Sequence, residues 1–283
     1  MLAMKLGDSH PLVRASKWYE RRLCQGASAH FTVTDAMRRV LLEDFNLKAN
    51  VLPLHDRPAS QFQPLESDAR KAFLSLLDDT KGFANSILTE KTRLIVSSTS
   101  WTPDEDFSIL LEALSTYCEK ATTTHPQLPE ILVIITGKGP EKEKYLGQIE
   151  KLKCRGKLQV ATIKTAWLSL QDYASLLASA DLGVSLHTSS SGVDLPMKVV
   201  DMFGAGLPVL GWNKFAAWPE LVVEGRNGIG FGDANEMAEK LVYLLSPEHS
   251  MLARLREGAL AEGKRRWDDE WDLTAGKLFE LIN

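Results

Sequence analysis

Cysteine is scarce in this sequence: Cys24, Cys118 and Cys154 are the only three in 283 residues, and they lie far apart. Their odd number and spacing exclude a disulfide framework and show no metal-ligand pattern, so they read as reduced thiols of a cytosolic compartment. Long apolar runs are lacking too. Nowhere do the roughly 18 or more apolar residues of a membrane helix occur together, and the opening MLAMKLGDSHP is too short and polar for a secretory signal. If the protein works at a membrane, a surface or a partner holds it there. Excess positive charge is missing, with 33 Lys and Arg against 37 Asp and Glu and a net charge of −4, which argues against a general field for nucleic acid. A full GxGxxG fingerprint is also absent, because position 142 after Gly137 and Gly139 is Lys, and this disfavours NAD. What remains is 44% hydrophobic and 25% charged, the composition of a globular protein with a full core and room for two domains.

The order of elements predicts an α/β fold. An amphipathic helix over Pro11 to Gln25 carries Leu12, Ala15, Trp18, Tyr19 and Leu23 on one side. A strand over Ala29 to Val33 leads to Thr34, which caps a helix over Asp35 to Phe45, and Val51 to Leu54 is a second strand. Strands with a helix between them imply a parallel sheet. Only two strands precede residue 56, so residues 1–58 read as the last part of an incomplete Rossmann-like domain. His55, Asp56, Arg57 and Pro58 follow the second strand, and the Asp–Arg pair either shapes a cleft or pins the linker. Residues 59–92 read as linker and peripheral insertion, with a helix near Asp68 to Leu77.

Residues 93–250 read as a complete second domain. The strand LIVSSTS from Leu94 ends at Ser98, Thr99, Ser100 and Trp101, where ligands of such sheets bind. Asp104 to Asp106 read as helix capping. Buried strand ILVIIT, residues 131–136, is followed by Gly137, Lys138 and Gly139, which let backbone approach a ligand closely. A strand is expected over Leu158 to Ala161, a helix over Leu170 to Ala180, and a strand over Asp181 to Leu186 that delivers His187. Residues 251–283 read as helices packing back across the domains.

The most informative stretch is Ser189 to Leu210, SSSGVDLPMKVVDMFGAGLPVL. Ser191 and Gly192 belong to a small-residue loop, and Asp194, Leu195 and Pro196 lead into a helix whose amino end points at that loop. Free N–H groups and the helix dipole favour an anion there, and Lys198 adds charge. Asp201 lies three residues on, on the same side. The set suits a nucleotide sugar; an ordinary surface helix with a Lys198–Asp201 ion pair is the other reading.

These motifs resemble the GT-B glycosyltransferases, in PMKVVD and in DMFGAGLPVL followed by Asn227 and Gly228. More narrowly, HPLVRASKWYER, FTVTDAM, HDRP, SSTSWTPDEDFSILLEAL, TGKGP and SSSGVDLPMKVVDMFG together resemble the β-mannosyltransferases that add the first mannose of the dolichol-linked oligosaccharide used in N-glycosylation. The resemblance implies a GDP-mannose donor, a dolichol-diphosphate-linked chitobiose acceptor, no cofactor or metal, and a place on the cytosolic face of the endoplasmic reticulum membrane, in possible company with other mannosyltransferases. It implies diphosphate near Gly192 and Pro196, Lys198 compensating its charge, and Asp201 holding ribose or mannose hydroxyls. Gly137 to Gly139 would lie under the nucleotide, Ser100 and Trp101 would face the interdomain cleft, and His187, Ser191, Asp194 and Leu195 would join the substrate site. Transfer would invert the anomeric carbon, which calls for a general base on the acceptor's 4-hydroxyl; Asp194 is a candidate by its place in the loop. The resemblance also implies an amino-terminal membrane anchor and a whole acceptor domain with a glycine-rich loop, of which residues 1–58 read as the final strands and helices. The alternative is therefore a shortened, non-catalytic paralogue that binds nucleotide sugar or a longer transferase.

Overall fold

The computed structural model describes residues 6–7, 9–47, 49–188 and 191–281. Helix α1 (Pro11–Cys24) precedes β1 (Ala29–Thr32), α2 (Asp35–Asp44) and β2 (Asn50–Pro53). β1 and β2 pair in parallel, Ala29 opposite Asn50, as a strand–helix–strand unit requires. Two elements from the next stretch, α3 (Ser67–Leu76) and α4 (Ala84–Leu88), lead into the main sheet. Residues 59–92 bury Phe62, Leu74 and Ile87 in its core.

The main sheet has six parallel strands: β3 (Thr92–Ser98), β4 (Glu130–Thr136), β5 (Ala161–Ala166), β6 (Leu182–Ser185), β7 (Val209–Trp212) and β8 (Gly228–Phe231). Their spatial order is β5-β4-β3-β6-β7-β8, so the chain reverses direction of travel between β3 and β6 and leaves a crevice at their carboxyl ends. Helices cover both faces, which is why the strands read as unbroken apolar runs. Along β4, Ile131, Val133 and Ile135 join the core under α5 (Phe107–Thr123), α6 (Lys142–Cys154) and α10 (Ala234–Leu245). Leu132 and Ile134 join the opposite core under α7 (Leu170–Ser179), α8 (Met197–Gly204) and α9 (Trp218–Leu221).

One strand differs from expectation. β5 starts at Ala161, three residues later than predicted, because Leu158 is the buried anchor of a turn whose carbonyl accepts from Ala161 N. The strand proper, ATIKTA, is a sheet edge on which buried and half-buried residues mix. Such a pattern is a weaker apolar signal than the central strands give.

The amino-terminal unit is fastened to the main one. Thr34 accepts from Met37 N as the α2 cap and donates its hydroxyl to the Val193 carbonyl. Glu220 of α9 accepts from Asp35 N at 2.6 Å and Ala36 N at 2.8 Å and lies 3.0 Å from His55 Nε2. Arg57 pairs with Glu262 and Glu270, not with Asp56. Glu262 lies on α11 (Met251–Gly263) and Glu270 on α12 (Trp267–Trp271), so the carboxy-terminal segment returns to the first unit. Arg266 strengthens that return by donating to the Phe62 carbonyl.

Candidate functional site

At the carboxyl end of β3, the loop Thr99 to Glu105 folds around a buried carboxylate. Glu105 is 3% exposed. Its Oε2 accepts from the Thr99 hydroxyl at 2.6 Å and from Ser100 N at 2.8 Å, and its Oε1 accepts from Lys198 Nζ at 2.5 Å. Asp106, its neighbour, caps α5 through Ser108 N. Of the expected capping trio, Asp106 caps, and Glu105 instead ties the β3 loop to α8.

Gly137 and Gly139 lie against this loop. A Cβ on Gly137 would stand 1.8 Å from the Thr99 carbonyl oxygen, and one on Gly139 would stand 1.7 Å from that of Ser100. The two glycines therefore let two loops touch backbone to backbone. Trp101 does not face a cleft as the sequence suggested: it is fully buried, its ring 4.7 Å from Phe107, with Nε1 donating to the Gly137 carbonyl. Its φ is +48°, and its indole N–H finds a carbonyl in the core, as a buried tryptophan needs. Ser100 stays exposed.

Above the glycines lies a cavity of about 430 Å³ lined by Ser98, Thr99, Gly137, Tyr173, Lys198 and Asp201, with Trp167 and Leu168 at its side. Ser98 Oγ and Tyr173 Oη are 2.9 Å apart. Lys138 stands 4.2 Å over the exposed Trp167 ring, a cation–π contact. The surface ion pair Lys198–Asp201 is not formed, since Lys198 turns to Glu105. Asp201 is left half-buried, and burial pushes its carboxyl up to about 7, because a charge loses solvation there.

On the other side of Lys198, the loop after β6 carries a second cluster. His187 pairs with Glu105 in an isolated β-bridge, and the Thr188 amide and hydroxyl both donate to the Asp104 carbonyl. His187 Nε2 lies 2.9 Å from Asp194 Oδ2, while Ser191 Oγ donates to Asp194 Oδ1 at 3.1 Å. The Gly192 carbonyl accepts from Ala216 N, and Gly192 has φ +73°. Ser189 and Ser190 lie outside the described residues. Leu195 and Pro196 are buried; Pro196 precedes the first turn of α8, and Lys198 of that turn lines the cavity.

The structure thus gathers Gly137, Lys198 and Asp201 around the cavity, with Ser100 joined through Glu105 and Lys138 at its mouth. His187, Ser191 and Asp194 form the neighbouring cluster. Trp101, Leu195 and Pro196 belong to the core. Nothing local in the sequence marks Glu105 or Tyr173 as lying at the site, and only its position just after a strand marks Trp167.

Residues 78–261 match the model of a family described as glycosyl transferases group 1. A relative from Arthroderma benhamiae named chitobiosyldiphosphodolichol beta-mannosyltransferase is 54% identical over 100% of this chain and 63% of its own length. Relatives of the same name from Candida albicans and Mus musculus are 44% and 40% identical, over 96% and 95% of this chain and 57% and 60% of theirs. The chain therefore spans about three fifths of the length of these relatives. Among solved structures, Anabaena HepE in complex with UDP superimposes with a TM-score of 0.70 at 18% identity, over 95% of this chain and 67% of that one. Sucrose-phosphate synthase from Thermosynechococcus elongatus gives 0.64 at 16% identity, over 95% and 61%. At these identities the two structures speak for the fold alone.

Proposed function

The chain belongs to the glycosyl transferases group 1 family, and from that premise we propose that it binds GDP-mannose at the crevice and transfers mannose to dolichol-diphosphate-linked chitobiose. The observation that carries the reading is the cavity at the carboxyl ends of β3 and β4, which Lys198 and Asp201 line together with Thr99 and Gly137. A diphosphate there would face the amino end of α8 and the Lys198 ammonium, groups that stabilise a departing diphosphate without a metal. Asp201 would accept from ribose or sugar hydroxyls. The names of the relatives support mannose as the sugar and the chitobiosyl lipid as the acceptor.

Forming a β-linkage from an α-linked donor takes a single displacement: the acceptor hydroxyl attacks as the diphosphate leaves, and a base removes the proton. An acceptor on a lipid would place the reaction at a membrane surface, on the cytosolic face of the endoplasmic reticulum in this reading. No helix among the described residues is long and apolar enough to cross a membrane.

Calorimetric titration with GDP and GDP-mannose tests the donor half. Saturable binding is expected, weakened at least about tenfold in Lys198→Ala and Asp201→Ala, the effect of losing one charged contact. A folded protein that binds neither ligand would reject the reading. Mannose incorporation into a chitobiosyl lipid tests the other half, and binding without incorporation would leave a donor-binding protein that is not a transferase.

A further inference from the structure

The proposed transfer needs a proton acceptor, and several carboxylates at the crevice are engaged elsewhere. Glu105 holds Thr99, Ser100 and Lys198. Glu220 is bound by two backbone amides and His55. Asp194 accepts from Ser191 at one oxygen and meets His187 at the other.

His187 is differently placed. With Asp194 as partner, the hydrogen of the neutral ring sits on Nε2, where the carboxylate receives it, and this leaves the lone pair on Nδ1. Among the described residues Nδ1 has no hydrogen-bond partner, and it is not among the buried unpartnered atoms either. The ring is held edge-on by Phe215, with centroids 6.3 Å apart. Its β-bridge to Glu105 sets it beside the residue that holds Lys198. The loop bearing Asp194 is bound to the amino-terminal unit through Thr34 and Val193. His187 thus stands beside Glu105, which holds the cavity residue Lys198, and Asp194 beside Val193, which is joined to the amino-terminal unit.

We infer that His187 is the proton acceptor of the transfer and Asp194 its positioning residue, an assignment that rests on the function proposed above. In the step, the acceptor oxygen forms a bond to the anomeric carbon and the bond from that carbon to the diphosphate oxygen breaks. The electron pair of the broken bond leaves on the diphosphate. The hydroxyl proton passes to His187 Nδ1, the imidazolium is stabilised by Asp194, and the ring returns to neutral by releasing a proton to water. Asp194 thus acts through the ring, not on the substrate.

The test uses the full chain with GDP-mannose and a chitobiosyl lipid. General-base catalysis contributes about 10²–10⁴-fold, so kcat is expected to fall by that order in His187→Gln and His187→Ala while GDP affinity stays within about twofold. Asp194→Asn keeps the loop's hydrogen bond but offers an N–H to Nε2, which reverses the tautomer and should lower kcat similarly. Added imidazole should restore turnover to His187→Ala and not to His187→Gln, whose side chain fills the space. Nitrogen-15 shifts of the ring, assigned by their loss in His187→Gln, should show hydrogen on Nε2. Unchanged kcat in His187→Gln, a parallel loss of GDP affinity and kcat, or hydrogen on Nδ1 would each overturn the assignment. Wild-type protein that binds GDP-mannose but transfers nothing would remove the transfer reading itself and this step with it.

Discussion

Lys198 and Asp201 stand about one turn apart on α8, yet their surroundings divide them. Lys198 reaches the buried carboxylate of Glu105, and Asp201 faces the cavity with burial as the cause of its raised carboxyl. An aspartate that titrates near 3.8 when unfolded and about 7 when folded binds more protons in the folded state between those values. Its contribution is therefore full below about pH 4 and lost as the pH rises through about 7. The shift corresponds to roughly 2–4 kcal/mol after allowance for partial exposure. Asp201→Asn should flatten this slope: in urea denaturation, the variant should gain stability relative to wild type between pH 5 and pH 8. A constant difference across that range would remove the explanation. Both residues could be found from sequence because a helix places them at a fixed spacing. Their partners could not, since the Glu105–Lys198 contact joins residues 93 apart in the chain, and nothing local distinguishes Glu105 from the two acids beside it.

The β-strands and the glycine loop show the same division at the scale of elements. Both faces of the sheet are covered, so LIVSS and ILVIIT announced β3 and β4, whereas the edge strand β5 was misplaced. The Gly137–Gly139 turn was legible as a place of close approach, but the approaching backbone belongs to Thr99 and Ser100 of this chain. A ligand and a neighbouring loop make the same demand for a missing Cβ. Substitution at Gly137 and Gly139 should therefore cost more than at Gly192, although Gly137 and Gly192 both have positive φ. Gly192 has nothing within 4 Å of its added Cβ, so Gly192→Ala should cost only about 1–2 kcal/mol of backbone strain. Gly137→Ala and Gly139→Ala must separate two backbones, and a loss of at least about 3 kcal/mol is expected from overpacking joined to strain. Equal melting temperatures for Gly137→Ala and Gly192→Ala would show that the loops part without resistance.

Across the whole molecule, the small amino-terminal unit depends on the larger one. On α1, Leu12, Trp18, Tyr19 and Leu23 are between 58% and 67% exposed, and Val13 is the buried residue. The predicted amphipathic helix exists, but most of its apolar side is not what holds it. Much of the unit's attachment is polar, through Thr34, Glu220 and Arg57. Glu220→Ala removes acceptors from two amides at the start of α2, a loss of about 1–2 kcal/mol by comparison with other caps. Amide exchange should quicken about tenfold or more over residues 37–42 while β3 and β4 keep their protection, and uniform quickening would mean the two units unfold together. The pairing of Lys198 with Glu105 also bears on how a ligand arrives. Lys198 is already paired with Glu105 and the chain carries −4, which leaves Lys138 as the local positive charge at the mouth, so a nucleoside diphosphate bound as proposed would meet little long-range attraction on approach. Encounter would be left to unassisted diffusion, and the lifetime of the complex, set by short-range contacts inside the cavity, would govern how tightly the nucleotide is held.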